Sequence, residues 1–300
     1  MLSYAAVIAV FALFLYGPVT QLLSGQAPAL RRSPRPQLNE ALLALEPNGT
    51  AAEEPALDCA PDAYSVHIFS KEPLVLYIEN FLTDEERSHL LEISNHQPPL
   101  TPERNSTPLL EPSTVTHDGG DTAHRDAAVR DSSVAMPPRT GPVRCVEARA
   151  RALQGWRAEL WLERLRVQRY DAPAGHYAHH YDWSSGRGGW GRVSSVMAWV
   201  EAAPGGLEGG GTEFPFLRRP ADPRWCRFVE CPEGEGGGRD GQEGEAEGVV
   251  FKPVPGNAVF WENFRPDGTG RGYEETWHAG LPVRKGVKVG LNIWSWGRLD

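Results

Sequence analysis

Residues 170–183 read YDAPAGHYAHHYDW, and this stretch contains the first two candidates for a metal site. In an extended strand, residues i and i+2 face the same side, so His180 and Asp182 present an imidazole and a carboxylate in one direction. His179 and Tyr181 then face the other way, and His179 is expected to be a packing or surface residue. A lone His-x-Asp pair arises often by chance and usually makes a surface hydrogen bond. A distant second histidine is needed before the pair indicates a metal.

His278 is the candidate for that second histidine, within TWHAGLPVRKGVKVGLNIW at residues 276–294. Two histidines and one carboxylate on one face of an ion leave open coordination positions, an arrangement suited to non-haem iron(II). The sequence therefore predicts an iron site formed by His180, Asp182 and His278.

Around these residues the chain consists of short apolar runs separated by Gly, Pro and Asp, a pattern typical of strands and turns. Two further strands are predicted earlier, at residues 64–69 and 74–78. The pattern predicts an α+β fold: a double-stranded β-helix (jelly-roll) core flanked by helices, with an N-terminal hydrophobic segment. The later runs are residues 165–170, 177–183, 194–201, 249–252, 258–261 and 288–296.

Two helices are predicted ahead of this core. Thr83-Asp-Glu-Glu86 is a capping box, in which Thr83 accepts from backbone N–H groups of the first helical turn. The apolar spacing of residues 143–162 predicts the second helix. Residues 98–140 are polar and rich in Pro, Thr and Asp, so a long loop with at most short strands is expected, and such loops are often functional.

The chain begins with an apolar segment, MLSYAAVIAVFALFLYGPVTQLL, ahead of Pro-rich residues. Counted through Leu23 its apolar part reaches about 19 residues, near the lower limit for a spanning helix, so signal peptide and signal anchor both remain open. The expected organisation is a targeting segment at 1–27, a Pro-rich linker at 28–60 and one catalytic domain at 61–300, with its core at 163–300.

The sequence gives conflicting indications about the compartment. Arginines follow the apolar segment at positions 31, 32 and 35, and no Lys or Arg precedes it, which by the positive-inside rule would place the domain in the cytosol. Two glycosylation sequons, at Asn48 and Asn105, point to the lumen instead.

The four cysteines include no CxxC pair, which argues against a zinc site. Cys226 and Cys231 could close a small disulfide loop in an oxidising compartment. Cys59 and Cys145 would then be either a second pair or free buried thiols.

The net charge of −9, from 30 Lys+Arg against 39 Asp+Glu, comes without a basic stripe that could neutralise a phosphate backbone. No nucleic-acid partner is therefore expected. Six acids and one arginine fall in the Gly-rich residues 232–248, which are expected to form a solvated insertion.

Three blocks, taken together, resemble the prolyl 4-hydroxylase family. The family pattern Tyr-x-x-His-x-Asp is matched at 177–182, Gly-Gly-x-Thr-x-Phe-Pro at 209–215, and His-x-x-x-Pro-Val-x-x-Gly-x-Lys at 278–288. Gly211 stands where the family often has an acid. The resemblance spans Glu72 to the C-terminus and implies an iron(II)- and 2-oxoglutarate-dependent dioxygenase whose metal ligands are His180, Asp182 and His278.

The resemblance also implies how the co-substrate is held. Lys288 would pair its ammonium with the far carboxylate of 2-oxoglutarate, and a lysine buried in a barrel is costly unless an anion meets it. Tyr170 and Thr212 would bind the same carboxylate through their hydroxyls, or else be structural hydroxyls. Lys285 is expected to be exposed in a turn. Trp294 either walls the pocket or packs in the core.

The function implied is hydroxylation of prolyl residues in secretory-pathway polypeptides, in the endoplasmic reticulum, using iron(II), 2-oxoglutarate, O2 and L-ascorbate and releasing succinate and CO2. The partner would be a proline-containing polypeptide, and the chain would be a glycoprotein held at the membrane if its first segment is uncleaved. The nearest alternative is a dioxygenase of another residue or of a small molecule. A non-catalytic, membrane-anchored jelly-roll binding protein is the alternative from a different class.

Overall fold

The computed structural model describes residues 34–35, 37, 41–45, 57–95, 109–117, 122–184, 187–203, 205–231 and 248–299. The predicted targeting segment, both sequons and nearly all of the acidic insertion lie outside these residues. Among the helices that are described, none is long and apolar enough to cross a membrane.

The described chain is mostly β-structure with two α-helices, α1 (Asp84–Asn95) and α2 (Gly141–Ala152). The strands are β1 (Ser65–Lys71), β2 (Leu74–Glu79), β3 (Glu111–Pro112), β4 (Val115–His117), β5 (Thr122–His124), β6 (Arg130–Asp131), β7 (Ser133–Ala135), β8 (Leu160–Leu162), β9 (Arg166–Asp171), β10 (His176–His180), β11 (Trp190–Ala202), β12 (Glu208–Gly209), β13 (Thr212–Phe214), β14 (Val249–Phe251), β15 (Ala258–Glu262), β16 (His278–Gly280), β17 (Val283–Lys285) and β18 (Val287–Arg298).

Two antiparallel sheets form the core. The larger has nine strands, in the order β1-β2-β15-β11-β18-β9-β7-β3 with β8 on the side of β18, and the smaller has five, in the order β14-β13-β16-β10-β6. This architecture of mostly antiparallel strands with few helices agrees with the predicted jelly-roll core.

The central strands of the nine-stranded sheet are buried on both faces, because successive apolar side chains along each strand point to opposite faces. On β2, Leu76 and Ile78 pack against the two helices, whereas Val75 and Tyr77 pack against the smaller sheet. The result is three layers: helices, large sheet, small sheet. The space between the two sheets is where the predicted site residues meet.

The predicted capping box begins α1. Thr83 N–H donates to Glu86 Oε2 at 3.0 Å, and Glu86 N–H donates to Thr83 Oγ1 at 3.1 Å. Glu86 also accepts from Arg149 of α2 at 2.8 Å, so the same side chain joins the two helices.

The second helix is shorter than predicted. It ends at Ala152, and residues 160–162 form β8, which pairs with β18. The prediction of a helix through residue 162 is therefore wrong in its second half. Apolar residues continue at helical spacing past Gly155, which led to the longer prediction. In the structure, Leu160–Leu162 instead form a short strand that pairs with β18.

Both cysteine pairs are disulfides, Cys59–Cys145 and Cys226–Cys231, so the alternative of free thiols is wrong. The first joins the segment before β1 to α2. Residues 41–45, which fall within the predicted linker, also contact the domain: Ala44 N–H donates to Leu162 O at 2.9 Å, and Leu43 is buried.

Candidate metal and co-substrate site

Antiparallel pairing in the small sheet brings the two candidate histidines side by side. His180 ends β10, His278 begins β16, and the two residues are register partners. Asp182 lies two residues beyond the end of β10, in a bend, so the predicted strand through residue 183 ends earlier than expected. Its carboxylate nevertheless reaches the same point, with Oδ1 3.7 Å from His180 Nε2 and Oδ2 3.9 Å from His278 Nε2.

One ligand atom from each of the three side chains lies within 4.8 Å of the others. The Nδ1 of His180 is 2.8 Å from Ala178 O, and the Nδ1 of His278 is 2.9 Å from Thr276 O. Because a carbonyl only accepts, each Nδ1 carries the proton, which leaves each Nε2 lone pair directed at the centre of the cluster.

Trp294 orients the carboxylate of the cluster. Its Nε1–H donates to Asp182 Oδ2 at 2.9 Å, and Arg192 Nη1 donates to the backbone oxygen of Asp182 at 2.7 Å. The sequence left Trp294 as a pocket wall or core residue. Its position on β18, an even number of residues from Lys288, was the available signal that both side chains face the site.

The protonation states fit a metal. Burial and the nearby His278 lower the pKa of His180 to about 3. Burial alone would raise the pKa of Asp182, but His278, Arg192 and His180 lower it to about 2. At neutral pH the cluster thus holds a neutral imidazole at His180 and a carboxylate at Asp182, the forms that bind a metal. Two imidazole nitrogens and one carboxylate oxygen with room beside them fit iron(II).

Lys288 is fully buried on β18 and lacks a counter-ion among the described residues. Its Nζ donates to Gly210 O at 2.7 Å and lies 4.6 Å from the centre of the Tyr170 ring, and no described carboxylate is within 4.0 Å. Burial lowers the pKa of Lys288 to about 7. A buried ammonium in this position is stabilised by an anion. Lys285 is exposed, as expected, and pairs with Glu208 at 3.4 Å.

A cavity between the two sheets joins Lys288 to the three candidate ligands. Buried polar atoms face it without a hydrogen-bond partner in the described part of the chain: Thr212 Oγ1, Gln168 Nε2 and Trp261 Nε1. Such atoms are rarely left unpaired in proteins, so the lining fits a small polar ligand. The hydroxyl of Tyr170 lies in the same wall but already bonds to Gln168 Oε1 at 2.5 Å.

All six predicted site residues therefore line one cavity. His179 does not, as predicted: it points away, is exposed and contacts Glu213 Oε2 at 2.7 Å. Neighbouring rings pack against the two candidate ligand histidines. The Tyr177 ring stacks on His180 with ring centroids 3.7 Å apart, and the Trp261 ring meets His278 edge-on with centroids 4.9 Å apart.

Comparison with known proteins agrees with this geometry. Residues 165–296 match the 2OG-Fe(II) oxygenase superfamily. The chain is 29% identical over 237 residues to the probable prolyl 4-hydroxylase 10 of Arabidopsis thaliana, covering 76% of this chain and 71% of that protein. It is 27% identical over 239 residues to prolyl 4-hydroxylase 5 of the same plant, covering 76% and 70%.

Among solved structures, the 2-oxoglutarate complex of a viral collagen prolyl hydroxylase from Paramecium bursaria Chlorella virus-1 matches with a TM-score of 0.48 and 21% identity, over 74% of this chain and 95% of that one.

Residues 165–296 thus form a 2OG-Fe(II) oxygenase domain, a class that uses iron(II), 2-oxoglutarate and O2. This domain match and the two plant relatives support a 2-oxoglutarate-dependent dioxygenase, and the chain resembles the prolyl 4-hydroxylases.

Proposed function

We propose that this chain hydroxylates prolyl residues of secretory-pathway polypeptides, with His180, Asp182 and His278 as its iron ligands. The observation that carries the proposal is the convergence of these three side chains, with ligand atoms within 4.8 Å of one another, on a cavity that also holds the buried Lys288. Iron(II), when bound with 2-oxoglutarate and O2, supplies the oxidising chemistry of C–H hydroxylation, and the co-substrate leaves as succinate and CO2.

Lys288 and Thr212 would hold the far carboxylate of 2-oxoglutarate. The ammonium provides the charge, and the unpaired Thr212 hydroxyl provides a hydrogen bond. Tyr170 contributes its ring beneath the ammonium, because its hydroxyl bonds to Gln168. This departs from the expectation that the Tyr170 hydroxyl itself binds the co-substrate.

The remaining residues keep the site ordered and dry. Trp294 holds Asp182 in the orientation that faces both histidines, and the buried rings of Phe214 and Trp261 pack against His278. A rigid surrounding of this kind keeps ligand geometry fixed and excludes water from the reacting centre.

The prolyl specificity is supported by the two plant relatives, both named prolyl 4-hydroxylases. Residues 183–192 and the loop before α2 are proposed as the substrate rim, with L-ascorbate as the reductant. The binding-protein alternative is disfavoured because three ligands and a buried lysine have all been kept.

The secretory-pathway location is part of the proposal. Two disulfides within one domain suit an oxidising compartment such as the lumen of the endoplasmic reticulum. Residues 1–27 would attach the chain to the membrane if they are not cleaved.

The test is succinate release with iron(II), 2-oxoglutarate and ascorbate, in the presence of a capped peptide containing one proline. The control peptide carries alanine at that position. We expect succinate release to rise with the proline peptide, and mass spectrometry to show one added oxygen on its prolyl residue. Equal stimulation by the alanine peptide, or oxygen added at another residue, would refute prolyl specificity while leaving the dioxygenase class intact.

A further inference from the structure

Three arginines lie beside aromatic side chains that contact the candidate metal ligands. The guanidinium carbon of Arg166 lies 5.1 Å from the centre of the Trp294 ring, that of Arg192 lies 4.0 Å from the same ring, and that of Arg130 lies 4.5 Å from the Tyr177 ring. Trp294 hydrogen-bonds a metal ligand and Tyr177 stacks on another. Each guanidinium group is therefore at most one side chain away from a candidate metal ligand.

Arg166 reaches this position because of strand geometry. It alternates on β9 with Gln168 and Tyr170, both of which line the cavity, so its side chain projects from the same face one step further out.

The cluster has more guanidinium groups than carboxylates to pair with them. Arg192 is committed to Glu163, which it contacts at 2.9 and 3.0 Å. Within the described ranges, neither Arg130 nor Arg166 has a carboxylate within 4.0 Å. Asp182 Oδ1 lies 4.0 Å from Arg192 Nη1, but this carboxylate belongs to the cluster with His180 and His278.

The unpaired groups are also short of hydrogen bonds. Arg130 is buried and donates through Nε to Ser132 Oγ at 3.2 Å, but its Nη2 has no partner in the described part of the molecule. The side chain of Arg166 makes no hydrogen bond to a described residue, although its backbone pairs with β18. The stack on Trp294 occupies the guanidinium face and leaves its in-plane N–H donors unused.

Keeping such a cluster unpaired is unfavourable. Burial lowers the pKa of Arg166; Glu163 partly opposes this, and Arg192 and Arg130 lower it further. A carboxylate placed between Arg166 and Arg130 would satisfy the free donors of both, since a guanidinium edge matches a carboxylate with two parallel hydrogen bonds.

We propose that Arg166, together with Nη2 of Arg130, binds an acidic side chain of the peptide substrate next to the residue that is hydroxylated. The inference rests on the proposed function for the statement that the substrate is a peptide. The net charge of the chain, −9, would repel acidic peptides at long range, so selection of an acidic residue requires a local cationic site of this kind.

The test measures direct binding, by fluorescence anisotropy, of three labelled peptides to the full chain. Each peptide is capped at both ends, contains one proline, and carries Glu, Gln or Lys on either side of it. We expect the Glu peptide to bind at least about tenfold more tightly than the Gln peptide, as for a charge-assisted hydrogen bond, and the Lys peptide to bind most weakly.

Variants of one position locate the effect. Arg166→Gln should abolish the difference between the Glu and Gln peptides, and Arg166→Glu should favour the Lys peptide. Arg169→Gln is the matched control, because Arg169 stands on the opposite face of β9 and pairs with Asp171, so it should retain the preference. Arg166→Lys keeps the positive charge but not the planar guanidinium edge, so it should retain part of the preference for the Glu peptide. It replaces Arg166→Gln in the test if that variant does not fold.

Equal affinity of the wild-type chain for all three peptides would overturn the proposal, as would an unchanged Glu preference in Arg166→Gln. Succinate release measured with the same peptides separates the two proposals. Turnover that is indifferent to peptide charge would remove only the acidic subsite, whereas binding preference without peptide-dependent turnover would remove only the proposed function.

Discussion

Lys288 is a buried cationic side chain that has no anionic partner among the described residues. It is buried with a single carbonyl acceptor, so 2-oxoglutarate would supply its missing anion. Lys288→Ala would leave that carboxylate without an ionic partner, which costs about 2–5 kcal/mol for a buried pair. We therefore predict that the Michaelis constant for 2-oxoglutarate rises at least about tenfold.

Two substitutions serve as comparisons for Lys288→Ala. Lys288→Arg should recover part of the loss, limited by the shape of the guanidinium. Lys285→Ala should change little, because Lys285 is exposed and pairs with Glu208 outside the cavity. An unmoved Michaelis constant in a folded, iron-loaded Lys288→Ala protein would remove the assignment of Lys288 to the co-substrate.

Trp294 makes a second prediction at the level of one hydrogen bond. Trp294→Phe keeps an aromatic ring but removes the N–H that donates to Asp182 Oδ2. Partners of metal ligands typically contribute about 10–100-fold to metal affinity, so iron(II) affinity should fall by about tenfold. The measurement is an anaerobic iron titration. Trp296→Phe, on the same strand but stacked on Trp190, should bind iron as the wild type does; equal affinity in both variants would refute the role of Trp294.

At the scale of elements, the longer strands and the helix start could be predicted from the sequence, whereas most of the two- and three-residue strands could not. The capping box at Thr83 could be predicted because its hydrogen bonds join residues only three positions apart. The long strands of the large sheet could be predicted because their apolar residues form continuous runs in the sequence. The strands β13, β16 and β17 have three residues each and were not predicted. Their strand geometry comes from pairing with distant strands, which one sequence does not display.

The metal site shows the same division. The ligand types and their order were readable from residues 177–182 and 278–288. The bend that carries Asp182 and the hydrogen bond from Trp294 were not, because both depend on how β10 and β18 lie relative to each other.

The two disulfides differ in the length of chain that they close. Cys59–Cys145 closes 86 residues and Cys226–Cys231 closes 5. By the chain-entropy estimate their contributions are about 4.5 and about 2 kcal/mol. We predict that replacing Cys59 and Cys145 with Ser lowers the free energy of unfolding by roughly twice as much as replacing the other pair, as measured by urea denaturation. A larger loss from the short loop would contradict this order.

At the scale of the whole molecule, the three-layer arrangement places the site between two sheets, and the proposed compartment can be tested separately from the site. We predict a lumenal domain, so Asn48 or Asn105 should carry a glycan. In intact microsomes, added protease should spare the domain unless detergent is present. Digestion without detergent would place the domain in the cytosol, as the arginines after the first segment indicate.

The central claim is that one iron(II) is held by His180, Asp182 and His278 and serves 2-oxoglutarate turnover. The direct measurement is peptide-independent conversion of 2-oxoglutarate to succinate by iron-reconstituted protein, with bound iron quantified in each sample. Asp182→Ala and His278→Ala should both lose conversion and bind iron weakly, because two protein donors hold iron(II) poorly. His179→Ala, which alters the exposed histidine on the other face, should convert as the wild type does. Near-normal conversion by either ligand variant with iron bound would contradict the account, and loss of conversion in His179→Ala would show that the wrong histidine of the pair was assigned.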